Sequence, residues 1–265
     1  MKRNNSFYIV LLCVFAQVLA GVFIPGYAHA DTEKNINTIR IITPQWEDQT
    51  NPDGTGLFFD IVKAVYNPLG IKMDYNFAPW KRCQAKVNKG SADAMLCVWK
   101  THADEQKQLT PKYPIYIEQT AAVIKKASRI SWFGMHTLDY KRAVWLRGYD
   151  YVNDKHMSAI QLAMWHEVDN YDDAWLQLNL DRFDVYIDAL IDLNHYIRTN
   201  GINRDLYQIQ ILWSEKAYVA FSKSKRGAYL ADVYDREIQN LFKSGELARI
   251  YRRWNQPFLG GYWQD

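Results

Sequence analysis

Cys83 and Cys97 are the two cysteines beyond residue 30, separated by thirteen residues. A lone C-x13-C is no metal signature, and in an oxidising compartment such a pair forms a disulfide. His166-Glu167 lacks the second histidine of a zinc-protease helix, and His102, His136, His156 and His195 are scattered. Lone histidines of this kind are structural or solvated. The chain has no G-x-S-x-G, no P-loop and no G-x-G-x-x-G, so the common hydrolase and nucleotide signatures are missing. What it has in quantity is flat rings, ten Trp and eighteen Tyr. They serve either core packing or a cleft that holds a ligand, and composition leaves both readings open.

The first thirty residues differ from the rest. Lys2 and Arg3 precede an almost wholly apolar stretch over residues 8–24; Pro25 and Gly26 end it, and Ala28-His29-Ala30 follows. This is the order of a cleavable secretory signal (1–30), with cleavage before Asp31 and a soluble periplasmic product. The apolar run is short for a retained anchor, and Leu12 before Cys13 argues against lipidation. The formal net charge of +3 includes Lys2 and Arg3, so the exported part is near neutral and gives no support to a nucleic-acid partner.

Strands and helices alternate through the exported part. Residues 39–43 read as a strand, 56–66 as a helix, 71–77 as a strand, 79–87 as a helix opened by Pro79, and 92–98 as a buried strand. That rhythm predicts a mostly parallel sheet flanked by helices. Helix and strand pack face to face in such a unit, which brings Cys83 and Cys97 within disulfide reach. A second set follows: strands at 120–125, 142–146 and 164–168, helices at 153–162 and 172–180, a strand at 184–189 and a helix at 192–199. Strands at 207–213 and 217–222 and helices at 226–243 and 246–254 close the chain. Two α/β sets predict two lobes, with a ligand at the facing carboxyl ends of the strands.

Four stretches follow one another in order: Ile39-Arg40-Ile41 with Gly56-Leu57-Phe58-Phe59-Asp60-Ile61; Pro79-Trp80-Lys81-Arg82 with Gly90-Ser91-Ala92-Asp93-Ala94; Asp181-Arg182-Phe183-Asp184-Val185-Tyr186-Ile187-Asp188; and Ser244-Gly245-Glu246-Leu247 with Ile250-Tyr251 and Trp254. Together they resemble the family 3 extracellular solute-binding proteins, the type II periplasmic binding fold of ABC importers. The resemblance implies lobe one over 31–118 and 226–265 and lobe two over 119–225. It implies crossings near 121–123 and 218–220, and closure about that hinge. On physical grounds Gly90 and Gly245 suit helix C-terminal turns, Asp60 and Asp93 suit caps or solvated edges, and Trp254 suits the core.

The resemblance also implies where a ligand is touched: Trp46 after the first strand, Trp80 and Arg82 at the next helix, Trp99 and Lys100 after the third strand. In lobe two it implies Arg147, Gly148 and Tyr149 at a strand-to-helix turn, where free N–H groups hold an anion, and Asp188 near a strand end. Each has a plain alternative: the tryptophans as core, Arg147 as a partner of Asp150, Asp184 and Asp188 as salt-bridge acids. Amino-acid binders of the family carry an arginine in a T-P-E-R-type segment that clamps the carboxylate. Here the segment reads Thr101-His102-Ala103-Asp104-Glu105, which points to a neutral or cationic organic ligand rather than a standard amino acid. The expected protein is a monomeric, cofactor-free binder that delivers a small solute to an ABC permease. The alternatives are an enzyme of the same fold, dehydratase-like, using Asp188 or Glu105 as a buried acid, or the ligand-binding partner of a membrane sensor. Eleven residues after Trp254 leave no room for a fused sensor.

Overall fold

The computed structural model describes residues 36–264; the predicted signal and its cleavage site lie outside the described residues. Strand β1 (Thr38–Thr43) is rich in isoleucine and inserts Ile39, Ile41 and Ile42 into the core, as β-branched residues on a covered sheet do. The chain continues through α1 (Leu57–Tyr66), β2 (Lys72–Phe77), α2 (Trp80–Asn88), β3 (Ala94–Trp99) and α3 (Lys100–Glu105). Strand β1 pairs in parallel with both β2 and β3, and every residue of β3 is buried. The β-α-β-α-β reading of this stretch holds.

A second unit repeats the plan. Strand β5 (Arg142–Leu146) pairs in parallel with β6 (Met164–Val168) and β7 (Val185–Ala189), and α4 (Tyr171–Asn179) and α5 (Leu190–Thr199) follow β6 and β7. Two long strands join the units, β4 (Tyr116–Lys125) and β8 (Tyr207–Phe221), antiparallel to each other over the length of β4. Strand β8 pairs with β3 through residues 217–221, and β4 pairs with β7 through residues 120–123. The product is one curled eight-stranded sheet in the order β2-β1-β3-β8-β4-β7-β5-β6. Helices α6 (Lys225–Lys243) and α7 (Glu246–Arg253) return to pack on α1. Among the described residues no helix is long and apolar enough to cross a membrane.

The two units share an ion clamp. In the first, Asp93 before β3 accepts from the Arg40 backbone N–H (2.9 Å) and from its Nε and Nη2 (3.2 and 2.6 Å). In the second, Asp184 before β7 accepts from the same three atoms of Arg142 at 2.9, 3.0 and 2.6 Å. Both acids thus tie the start of one strand to the residue preceding its parallel neighbour. At the other end of the chain the Trp254 indole N–H donates to Asp60 (2.9 Å), and Arg253 joins them at 3.0 Å. Asp60 and Asp93 are therefore structural anchors rather than caps.

Three expectations are corrected. The stretch 153–162 forms no α-helix: it holds short 3-10 turns at Tyr151–Asn153 and Lys155–Met157. Asp154 caps the second turn through the His156 N–H, and Gln161 bonds instead to residues 139 and 140, drawing the chain out toward β6. The strands expected at 207–213 and 217–222 are one continuous strand, β8. Cys83 and Cys97 are free thiols, not a disulfide. A bulge between Met95 and Val98, with Cys97 at φ 57°, turns Cys97 into the same core as Leu96. Cys83 packs with Met95 and Val98 on the opposite face. The sheet separates the two sulfurs, and burial pushes the Cys83 thiol up to about 11.

Candidate functional site

A cavity of about 250 Å³ lies where the carboxyl ends of β1, β2 and β3 meet those of β5 and β7. This is the crevice that open α/β sheets offer to ligands. The loop after β1 contributes Pro44, Trp46 and Gln49, the start of α2 contributes Pro79 and Trp80, and the end of β3 contributes Cys97 and Trp99, with His102 beyond it. Tyr116 and Glu118 come from β4, Arg147 to Tyr149 follow β5, and Ala189, Ile191 and Asp192 come from the β7–α5 junction.

Six of the nine residues singled out from the sequence line this cavity: Trp46, Trp80, Trp99, Arg147, Gly148 and Tyr149. The ring centroids of Trp46 and Trp80 are 6.1 Å apart and tilted by 50°. Thr50 fixes the Trp46 turn, accepting the Trp46 N–H at 3.0 Å and donating to the Pro44 carbonyl at 2.9 Å. Trp99 stacks on His102 with centroids 5.5 Å apart. The other three point elsewhere. Arg82 lies on the solvent face of α2, and Lys100 is exposed beside Asp104 at 3.2 Å. Asp188 is fully buried behind the cavity wall. Asp104 and Glu105, which stand where the family's arginine is expected, are exposed and away from the cavity.

The anion turn after β5 is already occupied by protein groups. Gly148 donates its N–H to Glu167 at 3.3 Å, and no α-helix begins there. The Arg147 guanidinium bonds Asp169 at 2.7 Å and stands 3.6 Å from Glu167. Arg147, the only arginine lining the cavity among the described residues, is thereby neutralised.

The floor is acidic. The Cys97 thiol stands 3.7 Å from Glu118 Oε2. Asp192 accepts from the Gln49 amide at 2.7 Å, a bond joining the loop after β1 to α5. Behind them Asp188 accepts from the Tyr186 hydroxyl and, at 2.8 Å, from the Ala189 N–H. Burial pushes the Glu118 carboxyl up to about 7 and raises Asp188. Burial, reinforced by Asp188 and Glu118, holds Asp192 well above the carboxylate range. Among the described residues no cluster of His, Cys, Asp or Glu is arranged to hold a metal ion. Rings on the walls and acids below form a pocket suited to a flat or cationic organic group.

Gln49, Tyr116, Glu118 and Asp192 were missed from the sequence. Glu118 had a signal, as a lone acid inside the apolar run Tyr116-Ile117-Glu118-Gln119-Thr120-Ala121-Ala122. Asp192, at the head of α5, carried the ordinary mark of an N-terminal helix acid.

Three solved structures show the same fold. A substrate-binding protein of an ABC uptake transporter from Streptococcus pneumoniae with bound histidine is similar at 19% identity, covering 84% of this chain and 93% of that one, with a TM-score of 0.68. The GluR0 ligand-binding core from Nostoc punctiforme in complex with L-glutamate is similar at 16% identity, over 83% and 100%, with a TM-score of 0.66. An ancestral arginine-binding protein bound to arginine gives 18%, 82% and 98%, and 0.65. None of the curated proteins matches the chain in sequence. Residues 43–257 match the model of one family, and that span takes in every residue that lines the cavity. The chain belongs to the bacterial extracellular solute-binding proteins, family 3.

Proposed function

We propose that the cavity captures a small organic cation, held between Trp46, Trp80, Trp99 and Tyr149 above the carboxyls of Glu118 and Asp192. The observation that carries this reading is the imbalance of charge: two acids reach the cavity, and its one arginine is paired with Asp169 and Glu167. A ligand carboxylate would enter a buried acidic site without a free counter-ion, which is costly. The ligand closes the two lobes, residues 31–118 with 226–265 against 119–225, about the β4 and β8 crossings. After export through the signal at 1–30 the monomeric protein works in the periplasm, hands its solute unchanged to an ABC permease, and needs no cofactor.

Calorimetry with paired small solutes tests it. Benzamidinium, a planar cation, is expected to bind more tightly than benzoate, its acidic counterpart, and than standard α-amino acids with neutral side chains. Trp80→Ala is expected to lower benzamidinium affinity about tenfold, through loss of ring contact. Tighter binding of benzoate, or of a neutral amino acid unaffected by Trp80→Ala, would sink the reading. Recovery of a chemically altered solute would favour an enzyme.

A further inference from the structure

Three carboxyls from three elements gather at the base of the cavity: Glu118 from β4 and Asp192 from α5 line it, and Asp188 from β7 is buried behind them. The groups acting on them from neighbouring elements are acids, hydroxyls and a thiol, and one of those acids, Glu215, is itself paired with Lys155 and His156. Strand β8 brings Glu215, β3 brings the Cys97 thiol, and β7 brings the Tyr186 hydroxyl. The segment after β5 brings Tyr149 and Tyr151, and α4 brings Tyr171. Gln49 approaches from the loop after β1 as a neutral donor. His102 on the cavity wall stacks on Trp99, and Arg147 on the rim is held by its two acids. Three buried polar atoms, Thr120 Oγ1, Tyr151 Oη and Trp213 Nε1, have no partner among the described residues. The Tyr151 and Trp213 rings meet edge to face at 5.9 Å, and Thr120 lies opposite Trp213 in the sheet. Carboxylates gathered in one buried site, none of them in a salt bridge among the described residues, do not all ionise together.

We infer that the floor exchanges protons for ligand: at neutral pH the ligand-free cleft keeps protons on the Glu118, Asp188 and Asp192 cluster, and entry of a cationic group expels protons to solvent. This rests on the proposed cation site and adds a pH-linked control of capture and release to it. The sign follows from linkage. A cation binds the ionised cluster in preference to the protonated one, and burial raises the titration of all three acids. Affinity therefore increases as pH rises through the cluster's own range, by up to about tenfold per pH unit for each proton released, and levels off above it. With Glu118 titrating at about 7, acidification below neutral loosens the ligand.

Carbon-13 NMR of side-chain carboxyls, followed from about pH 5 to about pH 9 on protein expressed from the full chain, reads the cluster directly. Loss of signals in E118Q, D188N and D192N assigns them. Carboxyls that titrate near or above neutrality are expected in the free protein. Saturating benzamidinium, whose charge is constant over this range, is expected to move those midpoints toward acid, and its affinity is expected to rise with pH. Midpoints in the ordinary carboxylate range overturn this inference alone, since fixed carboxylates still accept a cation. Raised midpoints that benzamidinium leaves unmoved, with no heat of binding, overturn the cation reading and the exchange together.

Discussion

Asp93 shows how much one buried acid can organise. Its side chain is 1% exposed and takes hydrogen bonds from Arg40 and Arg226, the latter at 2.9 and 3.1 Å. Burial opposes its charge, but the bonds from Arg40 and Arg226 outweigh that and hold its titration below the usual range. Asp184 has the same geometry with Arg142 alone and is 24% exposed. A lowered folded-state titration contributes stability above the unfolded value of about 4, and this is lost as pH falls through the folded value. We expect Asp93→Asn to cost about 3 kcal/mol near pH 7 and Asp184→Asn about 1 kcal/mol, since breaking a buried pair exceeds breaking a wetter one. Urea unfolding followed by circular dichroism checks the order, and the Asp93→Asn deficit should shrink in acid. Equal costs at the two sites would contradict the burial argument. The sequence displayed both acids inside motifs but not their partners. Arg40 lies 53 residues from Asp93 and Arg142 lies 42 from Asp184, and only the parallel pairing brings them together. Site residues divide on the same ground. Trp46, Trp80 and Tyr149 follow strand ends and were placed by the family resemblance. Glu118 and Asp192 depend on how β4 and α5 meet across the cleft.

The elements most readable from sequence were those whose period is imposed by burial on one side, such as α1 and α6, or on both sides, as in β3. Residues 153–162 failed because side-chain bonds from Asp139 and Asp154 outcompete a helix there. The bulge that parts Cys97 from Cys83 likewise leaves no trace in hydropathy. A glycine at one junction is more informative. Gly56 precedes α1 at φ 127°, and a Cβ there would fall 2.3 Å from the Gln49 carbonyl oxygen. The close approach lets Leu57 and Phe58 donate to the carbonyls of Asp48 and Gln49, clamping the loop after β1 onto α1. That loop carries Trp46 and Gln49 to the cavity. Gly56→Ala is therefore expected to cost about 3 kcal/mol and to weaken benzamidinium binding at least tenfold, because backbone must move. Gly245→Ala, at φ 74° with open space around it, serves as the control, with a loss of about 1 kcal/mol and unchanged affinity. Thermal melts and calorimetry on the pair decide it; equal effects on affinity would detach Gly56 from the site.

At the scale of the whole molecule, the two proposed lobes are joined by the β4–β8 ribbon and touch again at the mouth of the cleft. There Asp48, on the loop after β1, meets two residues of α5: His195 at 2.9 Å and Arg198 at 2.5 Å. Neither Asp48 nor its partners line the cavity, so an effect of this contact on affinity would run through the proposed closure of the lobes rather than through the ligand. A two-lobed architecture was legible in the repeated α/β order, but this latch was not, because 147 residues separate Asp48 from His195. Asp48 has φ 62° and its carbonyl accepts the Leu57 N–H. Asparagine tolerates that left-handed backbone and keeps the loop, while losing the charge. Asp48→Asn thus removes the charge from the latch and leaves the loop in place. A partly buried ion pair of this kind contributes about 1 kcal/mol, and apparent affinity scales with the fraction of molecules able to close. We expect Asp48→Asn to weaken benzamidinium binding about fivefold, with a larger radius of gyration in the ligand-free protein and the same radius once ligand is saturating. Small-angle scattering with and without benzamidinium measures both states. An unchanged ligand-free radius together with unchanged affinity would show that the ribbon and the cavity hold the lobes closed without the latch.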